Sequence, residues 1–247
     1  MKIYILFLIC LFTSYSHAKN ILVHIPEASG ICYAKNSDTL YVANDEGKVY
    51  EIDTDGKILR EKRLGKYDLE GVACDDKNNK LLFAVEKQDN ILVVNQKTLK
   101  VQKEIDIKRE FKDIQVLKKD KKNGLEGIAI TDEGIYLSNQ SKKRWPKSDS
   151  SVLIKINSID KKKVTIREIV DHGYIDIAGL SFHKGYLYMV SDYDNLLIKY
   201  DLKNNKTIWK KALPDFACEG VAFDDVGNIY FADDAGKIYK YRFKVFE

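Results

Sequence analysis

Three glutamates occur in similar short segments of the chain, each directly before a glycine: Glu70 in LEGVAC, Glu126 in LEGIAI and Glu219 in CEGVAF. Carboxylates that are held close together raise one another's pKa or require a counter-ion. Carboxylate oxygens are also the ligands that Ca²⁺ and Mg²⁺ prefer. If the fold gathers these segments, the sequence predicts a binding site for one of these cations.

Further acidic and amide side chains follow the next strand-like segment of each repeat. Among them we predict Glu86 and Asp234 as additional metal ligands, with Ca²⁺ as the ion and Mg²⁺ as the alternative. The others expected around the same face are Asp45, Asp192, Asp233, Asn44, Asn139 and Gln140. Two other roles stay open for the glutamates: accepting backbone N–H groups at a turn, or moving protons in substrate acid–base chemistry.

The glutamate segments belong to a repeat that also includes ASGICY (28–33) and IAGLSF (177–182). The repeat glycines are 41, 56, 52 and 41 residues apart, at Gly30, Gly71, Gly127, Gly179 and Gly220. Two more strand-like segments follow each copy, and a fourth, more polar one follows the first four: KILREKRL, LKVQKEIDI, KVTIREIV and KTIWKKAL. Such units are typical of propeller blades, whose first strands line a channel. We therefore expect these residues near one mouth: Ser29, Glu70, Glu126, Ala178 and Glu219.

The fifth repeat lacks a fourth strand-like segment, because the chain ends soon after KIYKYRF (237–243). The segment NILVHIP (20–26) precedes the first repeat and alternates like an outer strand. Pairing of 20–26 with the last blade would close the ring and remove exposed strand edges. The prediction is an all-β, five-bladed β-propeller that forms a single domain over residues 19–247 and is monomeric.

Residues 1–18 have the layout of a secretory signal: Lys2, an apolar stretch from Ile3 to Phe12, and Ser16-His17-Ala18 before the expected cleavage point. The apolar stretch is shorter than the about 20 residues that a membrane helix needs. We therefore predict export to the periplasm or cell envelope. Retention as an uncleaved anchor in the inner membrane is the alternative.

Three cysteines, Cys32, Cys74 and Cys218, remain once the signal is removed, and an odd number is a poor disulfide framework. All three lie in or beside predicted inner strands, where buried thiols behave as small hydrophobic groups. We expect three buried thiols, with a single bridge as the alternative.

The charge of the chain is dense but nearly balanced, with 41 basic and 37 acidic residues and a net charge of +4. This balance gives little support to nucleic-acid binding. The four histidines show no metal-ligand spacing, and the sequence has no nucleophile elbow or phosphate-binding loop. A lone histidine near a turn, such as His183, is expected to be solvated. The sequence thus favours a binding protein over an enzyme.

Two Lys-rich insertions interrupt the repeats, at 106–123 and at 140–151. We expect them to be solvated loops on the rims of the blades. The alternative is a docking role, in which basic residues around Phe111 or Trp145 bind an anionic partner or the headgroups of a membrane surface.

The ordered segments DLEGVACDD, NGLEGIAI, DIAGLSF and ACEGVAFDDVGNIYFADDAGKIYKYRF, with LLFAVEKQDNIL among them, resemble the SdiA-regulated (YjiK-like) family of bacterial envelope β-propellers. The resemblance implies a propeller, an export signal or membrane anchor, and a calcium ion near the channel. Family members carry Ser where this chain has Ala178. Family members also tend to carry Glu after the second strand of several blades. This chain has Glu86 at one such position, and Gln140, Tyr193 and Asp234 at the corresponding positions of other blades.

Together these observations predict an exported propeller that binds a small ligand or an envelope protein at its channel face, with a divalent cation. The first alternative is a metal-dependent hydrolase of a lactone or phosphoester, in which the cation activates water and a channel carboxylate moves the proton. The second is a protein-interaction scaffold that binds through its basic rim loops.

Overall fold

Residues 20–118 and 124–247 are described by the structure, a computed structural model. Within these ranges the chain forms five blades arranged as a β-propeller, so the predicted fold is confirmed. The predicted signal, residues 1–18, lies outside the described ranges. No helix in the described part of the chain has the length and apolarity to cross a membrane.

In each blade the strands follow one another from the axis outward in the order below. The first blade contains β2 (Ala28–Ala34), β3 (Thr39–Asn44), β4 (Lys48–Asp53) and β5 (Ile58–Arg63). The second contains β6 (Leu69–Asp75), β7 (Lys80–Val85), β8 (Asn90–Asn95) and β9 (Val101–Ile107). The third contains β12 (Leu125–Thr131), β13 (Gly134–Asn139), β14 (Leu153–Ile156) and β16 (Glu168–Val170). The fourth contains β17 (Ile177–His183), β18 (Tyr186–Ser191), β19 (Leu196–Asp201) and β20 (Lys206–Ala212). The fifth contains β21 (Cys218–Phe223), β22 (Asn228–Asp233), β23 (Lys237–Arg242) and β1 (Ile21–His24).

The two ends of the chain meet in the fifth blade. β1 pairs antiparallel with β23, so that Ile21 lies opposite Tyr239 and His24 opposite Lys237. The backbone N–H of Ile25 then donates to the carbonyl of Gly236 at 3.1 Å, and the Ile25 side chain is fully buried. This pairing supplies the fourth strand of the last blade and covers an edge that would otherwise be free.

The hydrophobic core consists of five clusters, each between two neighbouring blades. The middle strands of a blade pack on both neighbours, which is why segments such as KLLFAV in β7 and NILVVN in β8 are apolar on both faces. The outer strands have one solvated face, and β20 accordingly alternates between exposed and half-buried residues over most of its length. The alternation of polar and apolar residues therefore reports the position of a strand within its blade.

The third blade departs from the expected single outer strand over 163–170. Its first part, β15 (Lys163–Val164), pairs in parallel with β9 of the second blade, and only β16 pairs with β14. The Lys103 ammonium donates to the carbonyl of Ile159 at 2.7 Å, and the side chains of Ile159 and Ile166 are buried between the second and third blades. The segment thus covers the edge of the second blade before it returns to its own.

The described parts of the two insertions expose many side chains, as expected, but they also pack apolar side chains against the molecule, which was not predicted. The first forms a hairpin of β10 (Glu110–Phe111) and β11 (Ile114–Gln115), followed by Val116 and Leu117, whose side chains are buried in the core. Trp145 of the second insertion packs against the same cluster. The insertions carry apolar side chains that complete the core between the second and third blades.

The cysteines correct a second expectation. Cys32 of β2 and Cys74 of β6 form a disulfide with Cα atoms 5.7 Å apart, while Cys218 is a buried free thiol. The prediction of three free thiols was therefore wrong for two of them, and the alternative of one bridge holds. The bond joins the inner strands of the first two blades, which lie side by side although the cysteines are 42 residues apart.

Candidate functional site

The repeat glycines hold the inner strands close together around the axis. A Cβ added to Gly71 would lie 2.5 Å from the carbonyl oxygen of Glu126, and one added to Gly179 would lie 2.5 Å from that of Glu219. The same holds from each blade to the next, and a Cβ added to Gly220 of the last blade would lie 2.6 Å from the carbonyl oxygen of Ser29 in the first. Because only glycine allows such an approach of two backbones, these residues set the width of the channel.

Each inner strand is also irregular at the position of its glycine. The register of β6 shifts between Leu69 and Val72, that of β12 between Leu125 and Ile128, and the other inner strands shift at the matching place. Such a bulge bends a strand and redirects a side chain. We call the channel end that carries the residues before the glycines the upper end, and the opposite end the lower end.

Glu70 and Glu126 are buried carboxylates at the upper end, 7% and 5% exposed. Neither forms a hydrogen bond or an ion pair with another residue in the described ranges. Burial raises the pKa of both well above its usual range, and the next cause is the charge of Glu126 for Glu70 and the charge of Glu219 for Glu126. The structure therefore brings the three repeat glutamates to one mouth.

Glu219 and Asp45 extend this mouth towards the first and fifth blades. Burial, followed by the charges of Asp234 and Asp45, raises the pKa of Glu219 to about 8. Burial likewise raises the pKa of Asp45 to about 6, although the Ser29 hydroxyl donates a hydrogen bond to its Oδ1. Both carboxyl groups are thus held in surroundings that disfavour their charged form.

The closest group of acidic oxygens joins Asp45, Asp68 and Glu70, and we call it the acidic cluster. One carboxylate oxygen from each residue lies within 4.8 Å of the other two. Glu86 lies beside the cluster, and burial, followed by the charge of Asp68, raises its pKa to about 7. The Lys87 ammonium pairs with Asp68 and lies 3.7 Å from Oε2 of Glu86. One ammonium thus stands against several carboxylates, and the site has an excess of negative charge.

The predicted metal ligands take different places in this arrangement. Glu70 belongs to the acidic cluster, Glu126 and Glu219 lie at the same mouth, and Glu86 adjoins the cluster. Asp234 is exposed in the turn after β22, and it affects Glu219 through its charge.

Asp68 was not predicted, although the sequence contains a signal for it. An acidic residue stands three positions before the repeat glycine in three copies: Glu27, Asp68 and Asp176.

Several polar residues at the ends of the second strands serve turns. The side-chain oxygen of Asn44 accepts from the backbone N–H of Lys48 at 2.9 Å, and that of Asn139 accepts from Val152 at 3.2 Å. Asp233 accepts from Ala235 at 2.9 Å in the same way. These amides and this acid therefore shape the loops around the mouth.

The lower end of the channel has a different lining. A cavity of about 110 Å³ lies among the residues that follow the repeat glycines, including both cysteines of the disulfide. The ring of His183 stacks on that of Phe223 with centroids 4.6 Å apart. His183 is half-buried, and His172, at the junction before the fourth blade, is only 4% exposed. The expectation of a solvated histidine near a turn was therefore wrong for His183, which is half-buried against Phe223.

A family model with the description SdiA-regulated matches residues 15–242, which is nearly the whole chain. The protein belongs to the SdiA-regulated family. The resemblance of its repeat segments to that family is therefore confirmed. No curated protein matches the chain.

Solved structures include similar folds. The crystal structure of the glutaminyl cyclase of Myxococcus xanthus matches this SdiA-regulated protein with a TM-score of 0.65 and 10% sequence identity. The match covers 90% of this chain and 92% of the cyclase chain. At so low an identity the likeness shows the fold alone.

Proposed function

We propose that this member of the SdiA-regulated family is an exported, non-enzymatic binding protein. The upper end of its channel holds a divalent cation, Ca²⁺ with Mg²⁺ as the alternative, and binds a small ligand or envelope partner there. The observation that carries this proposal is the burial of Glu70 and Glu126 without a counter-ion among the described residues. Buried charges are normally paired or coordinate a metal.

The donor set fits a hard cation. Asp45 and the pair Asp68 and Glu70 offer carboxylate oxygens from two separate segments that are already close together. Ca²⁺ accepts six to eight oxygen ligands in flexible geometry, which suits ligands on loops and strand ends. When bound, the ion would supply the positive charge that these carboxylates lack. The alternative role of Glu70 and Glu126 as acceptors in turns is less well supported, because no such hydrogen bond occurs in the described ranges.

Two neighbouring side chains prepare the site. Ser29, which is 1% exposed, donates to Asp45 and so fixes the orientation of that carboxylate. Lys87 pairs with Asp68 and provides part of the missing positive charge. We expect a bound cation to compete with Lys87 for Asp68, since both neutralise the same oxygens.

Export is supported by the disulfide between Cys32 and Cys74. Disulfides persist in oxidising compartments and are rare in the cytosol. Cell fractionation, followed by mass spectrometry without reductant, tests this part of the proposal. A cytosolic protein with reduced cysteines would contradict it.

Isothermal titration with Ca²⁺ and with Mg²⁺ tests the cation site. We expect heat with the wild-type protein, and its loss in Glu70→Gln and Glu126→Gln, which keep the shape but remove a charge. Glu61→Gln is the matched control, because Glu61 is exposed on the outer strand β5. Absence of binding by the wild-type protein would overturn the proposal. Cation-dependent turnover of a lactone or phosphoester would instead identify the hydrolase.

A further inference from the structure

A cavity of about 460 Å³ opens at the upper end between the first two blades. Small-molecule sites commonly have volumes of about 300 to 1,000 Å³. Two residues of the acidic cluster, Asp45 and Asp68, line this cavity. The cavity is therefore the approach from solvent to the proposed cation site.

Three loops build the cavity, and backbone hydrogen bonds join them. Leu64, between β5 and β6, donates to the carbonyl of Gly47 at 2.8 Å, and Glu86, after β7, donates to that of Asp68 at 3.1 Å. Gly47 has a φ of +79°, and a Cβ there would lie 2.9 Å from the carbonyl oxygen of Tyr67. The loops are thus held in one arrangement, so that the cavity exists before a ligand arrives.

The net charge around the cavity depends on whether the cation is bound. Three basic side chains, Arg63, Lys66 and Lys87, face four acidic ones, Asp45, Glu46, Asp68 and Glu86. Glu70, the third member of the acidic cluster, adds a fifth carboxylate, so the ionised groups carry two excess negative charges without a divalent cation and none with it. The cation thus cancels the negative charge that repels an anion, so that an anion can approach the basic side chains of the cavity.

The three basic side chains differ in whether they already contact an acidic side chain. Lys87 pairs with Asp68, and Arg63 contacts Glu46, whose Oε2 is 3.3 Å from its Nη2. Lys66 is exposed at the rim and forms no hydrogen bond or ion pair with the described residues. Lys66 is therefore the basic group that is available to a ligand.

We infer that this cavity binds a small organic anion, a carboxylate or a phosphate ester, in contact with the cation; the inference rests on the proposed function. With a cation held by Asp45, Asp68 and Glu70, an anionic oxygen of the ligand would supply a further oxygen ligand. The Lys66 ammonium donates to the same anionic group, and a charge-assisted hydrogen bond of this kind is strong.

Calorimetric titration tests the inference with two probes, succinate and glycerol 3-phosphate, added separately to the exported protein. Each titration is carried out with saturating Ca²⁺ and again with EDTA. We expect at least one probe to bind in Ca²⁺ and neither in EDTA. The two probes distinguish a carboxylate ligand from a phosphate ligand.

Variants of Lys66 provide the specific test. Lys66→Ala should weaken binding of the probe about tenfold, since a hydrogen bond to a charged group is lost, whereas Lys66→Arg should retain it. Lys77→Ala is the matched control, because Lys77 is exposed between β6 and β7 at the lower end. The affinity for Ca²⁺ is measured on every variant and should not fall in Lys66→Ala.

The outcomes separate the two proposals. If Ca²⁺ itself does not bind, the proposed function fails and the inference fails with it. If Ca²⁺ binds but neither anion does, or if the anions bind equally well in EDTA, only the inference is overturned. An equal loss in Lys66→Ala and Lys77→Ala would also overturn it, because the effect would then not come from the cavity.

Discussion

The two ends of the central channel are built from the same five strands but have opposite chemistry. At the upper end, the carboxyl groups of Glu70 and Glu126 are buried without a basic partner among the described residues. At the lower end, the disulfide and the stacked rings of His183 and Phe223 line a small cavity. Residues before the repeat glycines thus supply carboxylates to the upper end, and residues after them supply the cysteines and aromatic side chains of the lower end.

The lower end therefore stabilises the folded protein, whereas the upper end carries an electrostatic cost. The covalent bond and the aromatic contacts of the lower end favour the folded state. Burial of several carboxylates at the upper end opposes folding unless a cation or protons neutralise them. Such an imbalance is typical of binding sites, which are often less stable than the scaffold that holds them.

The largest expected effect on stability comes from removing the disulfide at the lower end. In Cys32→Ala/Cys74→Ala the disulfide no longer restricts the unfolded chain over its 42-residue separation. We expect a loss of about 4 kcal/mol in the free energy of unfolding, from the chain-entropy model. Urea unfolding measures this loss, and the affinity for Ca²⁺ should stay within about twofold of the wild-type value. A loss below about 1 kcal/mol would show that the disulfide contributes little.

Between the two ends, Gly71→Ala tests the closeness of the inner strands. The added methyl group would meet the carbonyl of Glu126 at 2.5 Å, so that the second and third blades must separate. We expect a loss of about 3 kcal/mol and weaker cation binding as well. Gly185→Asn is the control, because Gly185 has a φ of +82° that Asn tolerates and has no atom within 4 Å of an added Cβ. Equal stability of the two variants would contradict the packing described here.

The upper end should make stability depend on pH and on the cation. Glu219 has a pKa of about 8 in the folded protein against an ordinary value of 4.5. The folded state therefore binds more protons than the unfolded state between these values, and stability falls as the pH rises through this window. Ca²⁺ at 100 times its Kd should restore about 2.7 kcal/mol at pH 8, and less at pH 5, where protons compete.

Thermal unfolding at pH 5 and pH 8, with Ca²⁺ or EDTA, measures this dependence. Glu219→Gln is the matched variant: in EDTA it should be more stable than the wild type at pH 8, and its stabilisation by Ca²⁺ should be smaller. Comparing the two proteins cancels the contributions of other groups, such as His172, whose pKa burial lowers to about 4. An equal pH dependence in both proteins would exclude Glu219 as the cause.

The smallest effects come from a pair of serines, one at each end. Ser29→Ala removes the hydrogen bond to Asp45 and should weaken Ca²⁺ binding about tenfold, as for other residues that orient a metal ligand. Ser181→Ala, in the lower cavity, should leave Ca²⁺ binding unchanged and alter stability by less than about 0.5 kcal/mol. Calorimetry on both variants checks this contrast, which would be lost if Ser181→Ala weakened binding equally.

The blade architecture could be predicted from the sequence because it depends on repeated local features. The spacing of the repeat glycines and the alternation in each segment are enough to define five similar sheets. The convergence of Glu70, Glu126 and Glu219 follows from that architecture, since equivalent residues of a propeller meet at its axis.

Other features depend on contacts between blades that no local pattern reports. The disulfide requires Cys32 and Cys74 to come within 5.7 Å at their Cα atoms, a distance that sequence spacing does not give. Asp68 joins Asp45 because a loop of the second blade packs beside a loop of the first. The parallel pairing of β15 with β9 likewise depends on the shape of an exposed edge.

The pairing of β1 with β23 also sets the order in which the molecule can be completed. A ribosome makes β1 before any other strand described here and makes its partner β23 after all the rest. β1 must therefore stay unpaired until β23 has been made, and their pairing spans the largest sequence separation among the strand pairs of the described residues. Because such non-local pairings form slowly, we expect the pairing of β1 with β23 to be the rate-limiting step of folding.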